Sequence, residues 1–440
     1  MRITKRGVSL KIGLIGATAL VLPLIGVAKA GADYAATPND YVGVGGDTPQ
    51  FSADFLANGD PDGDPGFNAA GPIARLITFD AESDANGRAS YYAADSGSGQ
   101  SGQNEYPTDV LRDGYTPAQR VSSSGNAIST LENDTSTTGG GPGGEDINFI
   151  FSSSALSSST NYAVALHEYE FGTDTVGLAA ATGSVAPEGL TIADLTNIYN
   201  GNYTTWSQIT DVSGFTGSAT TPIIPLLPPK SSAITTTFLG NIGLYNSTTK
   251  TFSALGANVQ FVEQNDPNAI TLATSAASGS VAAGTAIDAI VPFSVARYNL
   301  LEGTGNTHGT LGSSSPYFPA IPGDSSFLST DAGLAYPTQP KYTAPIQILT
   351  TPASKTVTDY VDIRQSDLND PVTTTVVGGV TVPGQPYEPG ASINWAQYFF
   401  AGVNVGGSGQ VLPYIDSGAA QALIQESGVT PHWADAGEFS

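Results

Sequence analysis

Four short runs of small hydroxyl and glycine residues are the feature of this sequence with the most chemistry in it. They are Gly45-Gly46-Asp47-Thr48, Ser122-Ser123-Ser124-Gly125, Ser152-Ser153-Ser154, and Lys230-Ser231-Ser232 with Thr235 just beyond. An oxyanion held away from water needs many neutral donors, which hydroxyls and the free backbone N–H groups of helix N-termini supply. Any one of these runs is also what an ordinary Ser-rich loop looks like. Most of them follow an apolar segment that reads as a strand, which is where open α/β sheets place ligands, and four in order point to an anion site. The candidate ligand-binding residues are Asp47, Thr48, Ser123, Ser124, Ser152, Ser153, Lys230, Ser232 and Thr235.

A separate acidic run, Asp60-Pro-Asp-Gly-Asp-Pro-Gly66, sets Asp60, Asp62 and Asp64 at alternate positions. That spacing can wrap oxygens around Ca²⁺, loosely as an EF-hand loop does. The match is partial, since Pro65 takes the sixth position and Gly71 the twelfth, and an acidic turn has the same look. Enzyme chemistry finds little to work with. There is no G-x-S-x-G elbow, no H-E-x-x-H and no phosphate-cradling P-loop. Cysteine is absent and there are three histidines. His167 beside Glu168, in an extended stretch, reads as a hydrogen-bonded structural residue. The expectation is a binding protein with no required cofactor.

The elements that must position these residues alternate. Strands are expected at 40–45, 147–151, 221–227, 259–262 and 288–294, and helices at 126–132, 191–199 and 235–244, a pattern of α/β layers. Asp47 or Thr48 reads as an N-cap. Residues 57–70 and 82–120 read as surface excursions, and 162–178 as one or two extended crossings. In the last third, 342–351 and 356–363 are β-rich, 372–382 is a hairpin signal turning at Gly378-Gly379, and 395–400 and 418–427 are helical.

Residues 1–30 have the form of a cleavable secretory leader. Arg2, Lys5, Arg6 and Lys11 precede an apolar run, and Ala28-Lys29-Ala30 is a small-x-small cleavage pattern. No cysteine follows to carry a lipid, so the expectation is a secreted or extracytoplasmic chain with no membrane insertion after cleavage. The full chain carries a net charge of −24, and loss of the basic leader makes it more acidic still. Such a surface argues against nucleic acid or anionic lipid as partners. It also suits a secreted protein that must stay soluble in salt.

The segment from Gly189 to Ile209 ties these readings together. Thr191 and Asp194 form a capping-box pattern, Ile192, Leu195, Ile198 and Tyr199 fall at helical spacing, and Gly201 sits where a left-handed residue is wanted. Trp206 and Ile209 are expected to bury against that helix. The segment resembles the G-L-T-x-x-x-L-x-x-I-(F/Y)-x-G-x-x-x-x-W-x-x-I stretch of periplasmic phosphate-binding proteins. Tyr41 to Gln50 resembles their V-G-V-G-S-D-T-T-Q, Arg120 to Ile128 their R-P-N-G-S-S-A-G-I, and Asp146 to Ser153 their I-D-F-x-R-S-S. Glu170 to Val176 is similar to a crossing strand, Leu227 to Thr235 to L-P-Q-S-G-S-G-T-R, and Ala289 to Ser294 to the return crossing. The order and spacing cover residues 40–300 and are most like the secreted actinobacterial branch of the family.

The resemblance implies a two-lobed, type II periplasmic-binding-protein fold hinged on two crossing strands. Lobe one would comprise 38–172 and 295–440, with β-rich insertions, and lobe two 173–294. It implies a secreted solute-binding protein that closes on a small oxyanion, most plausibly phosphate, and serves an ABC permease or a cell-surface component. Asp47 would accept the proton of a protonated oxyanion. There are departures. Ser231 and Ala233 stand at glycine positions of the G-S-G-T loop, Ile234 at its Thr and Thr235 at the following Arg. Phe151 stands at another Arg, leaving Lys230 as the substitute charge. The alternative is therefore an extracellular interaction module on the same fold that has lost phosphate binding. A phosphate-ester hydrolase would need a metal or nucleophile cluster that the sequence does not show.

Overall fold

The alternating stretch Leu166–Ala181 is a single sixteen-residue strand, and both halves of the fold are built on it. The computed structural model describes residues 36, 40–60, 64–70, 75–79, 81, 108–109, 111–112, 118–119, 121, 123–134, 146–230, 232–262, 264–265, 270, 288–302, 346–369, 375–377, 380–382, 395–405 and 409–440. The leader at 1–30 and most of the 82–120 stretch lie outside them. Among the described residues no helix is long and apolar enough to cross a membrane.

In chain order the elements that matter are β1 (Tyr41–Gly45), α1 (Gln50–Asn58), β2 (Leu76–Thr78), α2 (Ser124–Asn133), β3 (Phe149–Ser152), β4 (Leu166–Ala181), α3 (Ile192–Tyr199), β5 (Ile224–Leu227), α4 (Ala233–Asn241) and β6 (Gln260–Phe261). Then come β7 (Ala289–Ser294), α5 (Val295–Glu302), β8 (Ile346–Leu349), β9 (Lys355–Arg364), α6 (Gly418–Glu426) and β10 (Thr430–Phe439). One ten-stranded sheet runs β6-β5-β7-β4-β9-β3-β1-β2, with β8 and β10 also paired to β4. Parallel pairs β1–β2 and β1–β3 build one α/β lobe, and β5–β6 and β5–β7 build the other. β4 joins them. Its first part pairs β9 and β10, and its last residues pair β7 and β8, all antiparallel.

The two expected crossings lie in β4 and β7, and β9 adds a third long strand beside them. Ile346–Leu349 pairs with the 178–181 end of β4, and Thr351 donates to the Leu190 carbonyl. This part of 295–440 therefore packs with the elements of 173–294. Register slips between Asp359 and Tyr360, where Phe171 has no partner, and such a bulge bends a strand. The neighbouring Gly172 leaves room for Val429, since a Cβ there would meet Val429 Cγ1 at 2.4 Å and force a shift.

Local signals fold as the sequence dictates. Thr191 Oγ1 accepts from the Asp194 N–H (3.1 Å) while Asp194 accepts from the Thr191 N–H (2.9 Å), and Gly201 is left-handed at φ +83°. Leu195, Ile198, Tyr199, Trp206 and Ile209 are buried in one cluster, whereas Ile192 stays exposed. The 375–377 and 380–382 strands form the expected hairpin.

Two expectations are corrected, and one strand is new. Pro49 is the cap position of α1 and makes no side-chain bond, so neither Asp47 nor Thr48 caps it. Residues 57–70 are not a surface excursion throughout. α1 runs through Asn58, and Phe67 is buried edge-on against Phe399 (4.7 Å) and Tyr414 (5.6 Å). β10 carries no sequence signal, because Thr430–Phe439 is half-exposed, contains Pro431 and Gly437, and pairs irregularly.

β4 and β9 also bury acids against each other. Glu168 lies opposite Asp362 in register, both inaccessible. Glu168 accepts from the Leu156 N–H at 2.6 Å, while both Asp362 oxygens lack a hydrogen bond. Burial, with the Glu170 charge adding, pushes Glu168 up to about 7 against the opposing Leu156 bond. Burial and the Glu168 charge push Asp362 well above the usual carboxylate range.

Raised folded-state values mean that the neutral forms stabilise the fold fully at acid pH and that this is lost as pH rises through about 7. The urea midpoint should therefore fall between pH 5.5 and 8, and Glu168→Gln should flatten that slope. An unchanged slope in the variant would show that Glu168 does not carry it. Thr191→Ala should cost about 1 kcal/mol by chemical denaturation, the worth of a helix N-cap.

Candidate functional site

The C-terminal ends of β1 and β3 in one lobe and of β6 and β7 in the other converge on a buried polar cluster. In lobe one, the turn after β1 brings Gly46 against the start of α2, where a Cβ would meet Ser124 Oγ at 2.9 Å. Ser124 Oγ accepts from the Ser153 N–H (3.0 Å), and Ser153 Oγ donates to Asp359 Oδ1 (2.5 Å). Asp359 sits on β9 and Asp174 on β4, and burial pushes both carboxyls up. Asp174 reaches about 6, held down by hydrogen bonds from Ser294, Ala296 and Thr175 and by the Arg297 charge. Asp359 goes well above the carboxylate range, because the Asp174 charge adds to burial and the Ser153 bond only partly offsets them.

From the other side, Ser294 at the end of β7 donates to Asp174 Oδ2 (2.5 Å) and accepts from the Arg297 N–H (2.9 Å), which fixes the start of α5. Arg297 is 2 % exposed, and its guanidinium lies 3.7 Å over the Phe51 ring of α1. Its Nη2 donates to Asp47 Oδ1 at 3.1 Å. The other oxygen of Asp47 accepts from Gln264 Nε2 (3.0 Å) and from Asn265 Nδ2. Gln264 also reaches Thr48 Oγ1 at 3.4 Å. Asn265 is left-handed at φ +52°, a conformation Asn tolerates better than other side chains, and its Oδ1 accepts from the Ser294 N–H.

Of the residues singled out by sequence, Asp47, Thr48, Ser124 and Ser153 are drawn into this network. The others serve their own turns. Ser123 caps α2 by accepting from the Asn126 N–H. Ser152 closes a turn with Ser154 through both its hydroxyl and the Ser154 N–H. Ser232 caps α4, and Thr235 donates to the Pro228 carbonyl. Lys230 Nζ lies over the rings of Phe252 and Phe261, at 5.7 and 5.8 Å. Phe151 packs in the lobe-one core against Phe149 and Phe171.

Asp60 accepts from the Asp64 N–H (2.9 Å), closing its own turn, while Asp62 lies outside the described residues. Among the described residues no group of three or more His, Cys, Asp or Glu is placed to hold a metal. His167 joins Gln365 and Asp435 at 2.7 Å each and stacks on Tyr169, a structural setting.

Sequence reasoning missed Arg297, Gln264, Asn265, Asp174 and Asp359. A Ser-x-x-Arg start to the helix after the return strand was the available signal for Arg297. The set comprises one guanidinium, two primary amides, hydroxyls and backbone N–H groups, donor types suited to oxyanions, interleaved with the buried carboxyls of Asp47, Asp174 and Asp359.

A two-lobed α/β sheet with such donors between the lobes defines a type II solute-binding fold. The family model described as the PBP superfamily domain matches residues 81–362, and the chain belongs to that superfamily. No curated protein matches it. Among solved structures it is similar to an ABC-type phosphate transport receptor from Vibrio cholerae, at 13% identity over 89% of this chain and 99% of that one, with a TM-score of 0.43. It is similar too to the phosphate binding protein from Stenotrophomonas maltophilia, at 12% identity over 89% and 90%, TM-score 0.38. A third is PstS from Borrelia burgdorferi, at 10% identity over 89% and 98%, TM-score 0.35.

Removing one partner of a buried ion pair leaves the other uncompensated. Arg297→Met should therefore destabilise the protein by about 3–5 kcal/mol in urea. A loss below about 1 kcal/mol, the range of exposed pairs, would show that Asp47 and Arg297 are solvated in solution.

Proposed function

We propose that this chain is an extracytoplasmic solute-binding protein that takes a small oxyanion, phosphate first, between its two lobes. The observation that carries the reading is the convergence of Arg297, Gln264 and Asn265 on a buried carboxylate. These donors select anions by charge and by directed N–H groups; Thr48 meets Gln264, while Ser124 and Ser153 join through Asp359. Asp174 supplies an acceptor for the proton of monohydrogen phosphate, which sulfate lacks. Closure would bend β4, β7 and β9, the strands shared between lobes. The leader-like segment at 1–30 supports export, and family membership supports delivery to an ABC permease or a cell-surface component.

A second reading is an interaction module that has lost its solute. It is favoured by the way Asp47 already satisfies the cleft donors, and by Phe151 being core where the resemblance expects a cation. Calorimetry decides between them, with inorganic phosphate titrated into protein that has been unfolded, dialysed and refolded. Saturable heat that sulfate does not reproduce, weakened in Ser124→Ala/Ser153→Ala, is the expected result. Silence from a cooperatively melting protein would leave the module reading.

A further inference from the structure

The cleft is occupied by the protein itself. We propose that Asp47 is its resident anion, an intramolecular carboxylate that fills the donor set, ties the lobes together without solute, and must be displaced by an incoming oxyanion. This rests on the oxyanion reading above and concerns the regulation of that same site.

Three observations carry it. The first is chemical. Asp47 is 2 % exposed, and its two oxygens receive one guanidinium N–H and two primary amides, the donors a bound oxyanion would need. The second is topological. Asp47 follows β1 in lobe one, whereas Gln264 and Asn265, more than 200 residues away, follow β6 in lobe two. One carboxylate therefore bridges the lobes.

The third is that both sides are shaped for the contact. α1 begins at Pro49 without a side-chain cap, leaving the Asp47 carboxylate to cross the cleft instead of closing its own helix. Opposite, Asn265 holds a left-handed backbone, and its side chain is pinned at Oδ1 by the Ser294 N–H so that Nδ2 meets Asp47. Arg297 is fixed by the Phe51 ring and by its own N–H to Ser294. Rare backbone conformations persist where the surroundings over-determine them, and they gather at ligand clamps.

A cleft whose competent form is only a fraction of the population binds with its affinity reduced by that fraction. If the latched form is about 90 % of the resting ensemble, removing the latch should tighten binding about tenfold. The test uses wild type, Asp47→Asn and Asp47→Ala, each refolded free of solute and shown to melt cooperatively. Inorganic phosphate is titrated by calorimetry, and amide exchange is followed over residues 40–51 and 260–265.

The expected result is faster exchange in both segments of the variants, restored by phosphate, with phosphate bound at least about tenfold more tightly than by wild type. Unchanged exchange together with unchanged affinity overturns the proposal. So does tight binding by wild type that both variants abolish, which would make Asp47 a direct ligand contact and leave the oxyanion reading standing. Faster exchange without phosphate heat in any form upholds the tether and sinks the oxyanion reading instead.

Discussion

The buried ion pair between Asp47 and Arg297 is the constraint that explains most of the cleft. Two charges taken out of water are tolerated only when their remaining donors and acceptors are matched, since the desolvation cost otherwise exceeds the Coulomb gain. The surroundings answer much of that demand. Phe51 offers a ring face to the guanidinium, and Gln264 and Asn265 complete the carboxylate. Ser294 then fixes both Asn265 and the start of the Arg297 helix. These residues come from three stretches of chain, at 47–51, 264–265 and 294–297, so the pair helps specify how the lobes meet as well as neutralising itself.

β4 is the second organising element, and it brings acids with it. Glu168 and Asp174 lie along it, and Asp362 and Asp359 face it from β9, all four inaccessible. A row of ionised carboxylates in an apolar interior is costly, and burial pushes all four upward, Asp359 and Asp362 well above the carboxylate range. The chain has no cysteine to staple the lobes. Its cohesion comes from continuous strand pairing across the sheet and from apolar clusters in each lobe.

What the sequence disclosed and what it concealed divide along contact range. The Thr191–Asp194 box, the Gly201 terminus and the Trp206 plug are settled within about twenty residues, and the order of strands and helices around them follows from periodicity. The sequence marked Asp47 as a ligand residue or a cap but could not show its partners. As a lone acid after a glycine turn it looked like a cap, because its real partners sit 217 to 250 residues away. Ser123, Ser152 and Ser232 show the reverse case. Their local spacing suggested a ligand, and local spacing is what they satisfy, as caps and turns. β10 escaped because an exposed edge strand broken by proline and glycine has no apolar alternation to detect.

The electrostatic setting sharpens what any solute must overcome. With a net charge of −24 the protein repels anions at a distance, yet screening limits that repulsion to about 10 Å at 0.1 M salt. Inside that range the donors decide, and their competitor is covalently attached. A tethered group on a short linker acts at an effective concentration on the order of millimolar. Free oxyanion at lower concentration prevails only by being the better guest, through a second negative charge, a tetrahedral set of acceptors, or a proton given to Asp174. Monohydrogen phosphate has all three, sulfate has the first two, and a simple monocarboxylate has none. The latch proposed for Asp47 would then act as a selectivity filter too, since it would exclude every anion no better than itself.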